Sequence, residues 1–337
     1  MKKDTLEILN NGEFVAHQKA WFGKMRAVFE GSEIGPLALG GVLGRRKDQD
    51  ILYTDPKQAL QKDLEVLAQH IRPYNSVKRF VPFCVEGEFY GVHFIDRIFG
   101  STVFFQDGQW YNRYLKTAVG ELQKPDLEND ETWQMARTYA QAFLDSGTTV
   151  PLLGLPTIAS ALNIAVNLYG EEILVAMLDE PEAAKHDLQI INDVLMEIHQ
   201  WYIDNIPLER MQPVISWERT QPPGYGQICG CSTQLLSPAL YEEFIMPLDE
   251  ALLGVYPHGG MIHLCGSHEH LLPLFAKMRN LKSVQLNDRA AEGLAGYVKM
   301  LRKDQVIYLN PCEGMPLEKA LEIAHGRKLI VCGAYEL

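Results

Sequence analysis

From residue 260 onward the chain repeats one pattern: a short apolar run, a segment of helix length, then another run. The runs are Gly260-Met-Ile-His-Leu-Cys265, Ser283-Val-Gln-Leu-Asn287, Gln305-Val-Ile-Tyr-Leu-Asn310 and Leu329-Ile-Val-Cys332, about 20 to 25 residues apart. Near-continuous apolar runs of this length suit strands buried on both faces, and parallel strands need crossovers as long as the segments between them. The spacing therefore predicts a parallel α/β sheet. Val150-Pro-Leu-Leu-Gly-Leu155, Pro213-Val-Ile-Ser-Trp217 and Gly226-Gln-Ile-Cys-Gly-Cys231 extend the strand series upstream. Helices are expected over Ile158 to Tyr169, stopped by Gly170; from Asp179-Glu-Pro181, with Leu188, Ile191, Leu195 and Ile198 on one stripe; and after Ser237-Pro238.

A doubly wound sheet and a barrel both fit this alternation. They differ in where polar residues gather, because barrel chemistry sits where strands end. His263 and Cys265, then Asn287 and Asp288, then Asn310 with Cys312 and Glu313, then Cys332 end four successive runs. Gly40-Gly41-Val-Leu-Gly44 matches neither a dinucleotide nor a phosphate-loop fingerprint. The expected fold is a (β/α)8 TIM barrel, residues 76–337, preceded by a helical, aromatic-rich N-terminal extension, residues 1–75, in one structural domain. In the first half, Asp55-Pro56 opens a helix carrying Leu60, Leu64, Leu67 and Ile71. Asp107-Gly108 between aromatic runs predicts a hairpin, and another helix runs from about Asn129 to Asp145.

The net charge of −12 leaves no general basic surface for nucleic acid or an anionic membrane. The most apolar stretch, Val150 to Leu178, is broken by Gly154, Pro156, Asn163, Asn167 and Gly170, so no membrane span is expected. Six cysteines are too few for a disulfide scaffold of this size, and Met-Lys-Lys-Asp-Thr-Leu-Glu is no secretory leader; a reducing cytoplasm is expected.

His263 and Cys265 carry the sharpest chemistry. One residue apart on a strand, they point the same way, so one metal ion could take both. With a remote third thiolate they form a three-ligand zinc site with one open position, the catalytic arrangement. Cys332 is the expected third ligand and Cys312 its rival. Cys229 and Cys231 form a second one-apart pair, either lining the site or buried as filler. Glu218 is a candidate fourth ligand. Asp288, Asn310 and Glu313 are candidate substrate contacts at the rim, while His268 and His270 read as exposed residues of a helix's first turn. His93 and Asp96 have no assignable partner.

Leu235-Leu-Ser-Pro-Ala-Leu-Tyr-Glu-Glu-Phe-Ile-Met-Pro247, Met261-Ile-His-Leu-Cys-Gly266 and the strand ending Leu309-Asn-Pro311 resemble the uroporphyrinogen decarboxylase superfamily, over roughly Val150 to Cys332. The middle segment is similar to the branch that moves methyl groups from methylated corrinoid proteins to a thiol, the methylcobamide:coenzyme M methyltransferases. That resemblance implies a β/α barrel and one zinc per chain on His263, Cys265 and Cys332. It also implies a methylcobamide supplied by a separate corrinoid protein and a small thiol or folate acceptor. Asp288, Asn310 and Glu218 are the expected catalytic residues. The arginine-bearing segment with which the decarboxylases grip substrate carboxylates is missing, and Arg45-Arg46 does not replace it. Cys229-Gly-Cys231 stands where an acidic residue is usual. The chain stops soon after the last run, at Leu337, which makes a homodimer the expectation. Two alternatives stay open: a lyase acting on a carboxylate substrate, favoured if arginines such as Arg219 face the barrel mouth, and a non-catalytic barrel that binds a ligand or a corrinoid protein.

Overall fold

A computed structural model describes residues 1–31, 33–41, 50–71, 78–212 and 218–337. The strand expected over Pro213–Trp217, Gly44 and the Arg45-Arg46 pair lie outside the described residues. Eleven strands occur among the described residues: β1 (Leu37–Leu39), β2 (Cys84–Glu86), β3 (Val103–Gln106), β4 (Gln109–Asn112), β5 (Leu152–Gly154), β6 (Met211–Gln212), β7 (Gly226–Cys229), β8 (Gly260–Leu264), β9 (Leu281–Leu286), β10 (Val306–Leu309) and β11 (Leu329–Cys332).

The four late apolar runs are β8 to β11, adjacent and parallel as their spacing predicts. They belong to a six-stranded sheet ordered β1-β11-β10-β9-β8-β7; β2-β5-β6 form a second parallel sheet. A single parallel bridge from Leu39 to Phe80 joins β1 to the chain entering β2. A closed barrel of eight strands is not seen among the described residues: β6 and β7 end the two sheets without pairing. The expected boundary at residue 75 also shifts, because β1 comes from within the expected extension and pairs with β11. Three residues, Leu-Ala-Leu, are too short a run to stand out in sequence.

Strand residues alternate between two cores, as the period of two requires. Ile262, Leu264, Ile307, Leu309, Leu329 and Val331 pack outward in the larger core, shared with the surrounding helices. Leu39, Cys84, Leu152, Met261, Tyr308, Ile330 and Cys332 face a second core, to which both sheets contribute. The helix Gly12–Phe29 joins that inner core through Trp21, Phe22, Met25, Val28 and Phe29. It covers the end where strands begin: Arg26 Nη2 donates to the Pro223 carbonyl ahead of β7, and Lys328 Nζ donates to the Phe29 carbonyl just before β11. The opposite end, where strands finish, stays open for a site.

Local signals behave as chemistry dictates. Asp55 Oδ1 accepts from the Gln58 amide at the start of the helix Pro56–Ile71, and Asp130 Oδ1 accepts from the Trp133 amide at the start of Glu131–Asp145. Asp107 and Gly108 both take positive φ, the turn that β3 and β4 need to pair antiparallel. No single described helix is long and apolar enough to cross a membrane.

Candidate metal centre

Register builds the site. Cys229 at the end of β7 lies beside His263 on β8, and His263 lies beside Gln285 on β9. Neighbours in a parallel ladder point to the same face, so the three side chains share one surface at the strand ends. The chain then turns at Gly230 and delivers Cys231, while Cys265 follows one residue after β8. Gly230 leaves that turn room: a Cβ there would stand 2.5 Å from the Ile262 side chain.

Cys229, Cys231 and His263 offer ligand atoms that all lie within 4.8 Å of one another. Cys265 Sγ is 3.0 Å from His263 Nε2, so the one-apart pair converges as its period predicts. Cys332 does not join them. The expected trio His263, Cys265 and Cys332 fails that mutual distance, and Cys332 Sγ instead donates to the Glu218 carbonyl at 3.2 Å. Cys312 lies in the turn it makes with Met315, its Sγ 3.9 Å from the Asp288 carbonyl. The pair Cys229 and Cys231 therefore takes the place expected of a thiol from the last strand. In sequence its only mark was the one-residue spacing; the ladder that sets it beside His263 is a tertiary fact.

The sulfurs polarise one another. Cys231 donates toward Cys229 and Cys265, which pushes its own thiol well above the usual range. That hydrogen bond is the largest influence pulling both neighbours down. His263 adds to the fall at each, Asn287 adds a hydrogen bond at Cys265, and burial opposes both. Cys332 moves the other way, raised chiefly by burial and then by the Glu218 carboxylate. Arg219 faces all four of these thiols. Burial lowers its guanidinium, the cysteines oppose that fall, and among the described residues it pairs with no carboxylate. Its Nη2 donates to His263 Nε2 at 3.3 Å.

Of the expected catalytic residues, Asn310 and Glu218 connect to the site from behind. Asn310 Nδ2 donates to Glu218 Oε2 at 2.6 Å, Asn310 Oδ1 accepts from Gln285 Nε2, and Gln285 Oε1 meets His263 Nδ1. Asp288 is exposed, at the head of a short helix, and Glu313 is exposed as well. His268 departs from expectation. It is fully buried, with Nδ1 at the Gly266 carbonyl and Nε2 at the Gly230 carbonyl, bracing both cysteine-bearing turns. His270 Nε2 lies 2.9 Å from the Leu236 carbonyl. His93 and Asp96 partner each other at 2.6 Å, and Asn167 Nδ2 also donates to Asp96.

A cavity of about 420 Å³ opens beside the sulfurs. Cys229, Cys231, His263 and Arg219 line one side, and Pro156, Ile158, Ile164 and Asn167 line another. Its size is that of a small-ligand pocket. The donor set suits a soft or borderline metal ion, and zinc takes sulfur and imidazole in this combination. His263 Nδ1 meets the Gln285 oxygen, which orients the ring so that Nε2 faces Cys265, the side on which an ion would be bound.

No family model and no curated protein matches the chain. Among solved structures, a methyltransferase from Methanosarcina mazei is similar in fold, with a TM-score of 0.59 at 10% sequence identity, over 92% of this chain and 91% of that one.

Proposed function

We propose that the chain is a zinc-dependent methyltransferase whose two sheets are arcs of one β/α barrel. It would move a methyl group from a methylated corrinoid protein to a small thiol or folate acceptor. The observation that carries this reading is the convergence of Cys229, Cys231 and His263 within 4.8 Å, with Cys265 against His263, on the wall of a ligand-sized cavity. The inner core shared by both sheets supports the barrel, and the structural neighbour's description as a methyltransferase supports the chemistry.

Cys229, Cys231 and His263 are the residues that would hold the ion, leaving one position open to an acceptor, with Cys265 beside His263 as the rival ligand. Bound there, zinc supplies a Lewis acid beside which a thiol is deprotonated at neutral pH. Arg219 offsets the negative charge of the thiolates and presents a cation to the cavity, which favours an acceptor bearing an anionic group. The apolar wall of Pro156, Ile158 and Ile164 excludes water from the acceptor. With a thiol acceptor, its sulfur would take the methyl carbon and the electron pair of the broken cobalt–carbon bond would stay with the corrinoid. A reducing compartment such as the cytoplasm keeps all six cysteines free, as they are in the structure.

Elemental analysis tests the reading. Purified protein is expected to hold about one zinc per chain, falling below about a tenth in Cys231→Ala. A stoichiometry unchanged by that substitution would refute the ligand assignment. A second reading, a lyase acting on a carboxylate, is favoured by Arg219 on the cavity wall; a metal-free protein that binds small carboxylates would select it.

A further inference from the structure

We propose that Asn167 selects the acceptor, and that the thiol it selects carries an amino group as well as an anionic one. Asn167 stands near the end of the helix Ala161–Tyr169, half-buried, and lines the cavity. Its backbone is pinned: Asn112 Nδ2 donates to the Asn167 carbonyl at 2.6 Å, and the Leu115 amide donates to the Leu168 carbonyl at 2.8 Å. Its side chain is aimed as well. Asp96 is fully buried, and its Oδ2 accepts from Asn167 Nδ2 at 2.9 Å while meeting His93 Nδ1 at 2.6 Å. That carboxyl oxygen holds the amide nitrogen on its own side, so the amide oxygen must turn the other way. Asn167 Oδ1 has no hydrogen-bond partner among the described residues and is not buried.

The neighbouring polar groups of that wall are already engaged. Asn163, one turn earlier on the same helix, also lines the cavity, but its Oδ1 accepts from Ser160 Oγ at 2.8 Å and its Nδ2 donates to Ser232 Oγ at 3.1 Å. Thr157 Oγ1 accepts from the Ala159 amide. Glu88, which follows the adjacent strand β2, lines the same side, and its carboxylate can only accept. Arg219 follows β6, on the far side of β5. The cavity thus offers a cation on one side and acceptors on the other. A ligand that spans it matches both with an anion at Arg219 and an N–H donor at Asn167. A thiol without that donor leaves the Asn167 oxygen facing apolar carbon, which costs affinity. That the ligand is a thiol rests on the methyl-transfer reading above; the demand for a donor rests on Asn167 and holds for any occupant of the cavity.

The test is calorimetric titration of the purified protein with L-cysteine and with 3-mercaptopropanoate, which lacks only the amino group, repeated with the pair one methylene longer. In at least one pair the amino thiol is expected to bind about 10-fold more tightly or better. Asn167→Leu, similar in size but without the acceptor, is expected to abolish that preference: the amino thiol falls to the level of its partner, whose own affinity is unchanged. A residue that merely shaped the wall would weaken both members of a pair alike. Equal affinities within both pairs, or no binding of any of the four, overturn the proposal in the wild-type protein, whether or not the variant folds. A preference that survives Asn167→Leu in folded protein overturns it too. Repeating the titration on chelator-treated protein separates the two readings. An affinity for thiols that is indifferent to metal strikes the zinc reading and leaves the preference for the amino group to be read on its own.

Discussion

The ends of β7 and β8 and the end of β11 each carry cysteine at the same mouth, beside the same arginine, and they produce opposite chemistry. At β7 and β8, the single Cys231 thiol proton, shared between two neighbouring sulfurs, is the largest influence favouring their thiolates, with His263 and Asn287 adding to the effect at Cys265. At β11, Cys332 is buried in the inner core and spends its proton on the Glu218 carbonyl. Burial then holds it as a thiol although Arg219 is near. A strand end supplies position, but donors aimed at sulfur supply reactivity.

The sharpest way to break that contrast is to alkylate the chelator-treated protein at pH 6 and map the adducts by mass spectrometry. An ordinary thiol titrates near ~8.5 and is almost wholly protonated at this pH. Cys265, held well below that range, is expected to be thiolate there, whereas Cys332, held above it, is not. Reaction at Cys265 should exceed that at Cys332 by on the order of 100-fold or more. The sign with pH follows: lowering the pH costs Cys265 its reactivity only in the acid range, while Cys332 stays silent until strongly alkaline pH. Equal rates at pH 6 would end the distinction.

Removing the donor sharpens it. Cys231→Ala deletes the largest influence on both depressed thiols, so the alkylation midpoint of Cys265 should move upward. Its rate at pH 6 should fall by about 10-fold, with His263 and Asn287 still supplying part of the shift. A midpoint that does not move would assign the depression to His263 instead.

What the sequence disclosed follows from the same contrast. The runs of β8 to β11 declare themselves because strands buried on both faces leave unbroken apolar stretches, and His263 with Cys265 declares a shared face by its spacing. The partnership of Cys229 with His263 is a matter of ladder register between β7 and β8, which no local pattern encodes. Gln285 did leave a trace, a lone amide inside Ser283-Val-Gln-Leu, since a polar side chain buried in such a run needs a partner. His268 reads as exposed because a helix's first turn is usually wet; in the fold it closes over the two cysteine-bearing turns.

The smallest expected effect belongs to Cys332→Ser, and it bears most directly on the strand-end reading of the sequence. Serine keeps a donor that can reach the Glu218 carbonyl. The exchange of a buried thiol for a more strongly solvated hydroxyl should cost about 1 kcal/mol in urea unfolding. Zinc content should not change, because the sulfur that is lost lies outside the group converging on His263. If zinc instead leaves with Cys332, the loop bearing Glu218 and Arg219 must shift when metal binds. The two strand ends would then be one site, and the contrast drawn between them would hold for the metal-free protein alone.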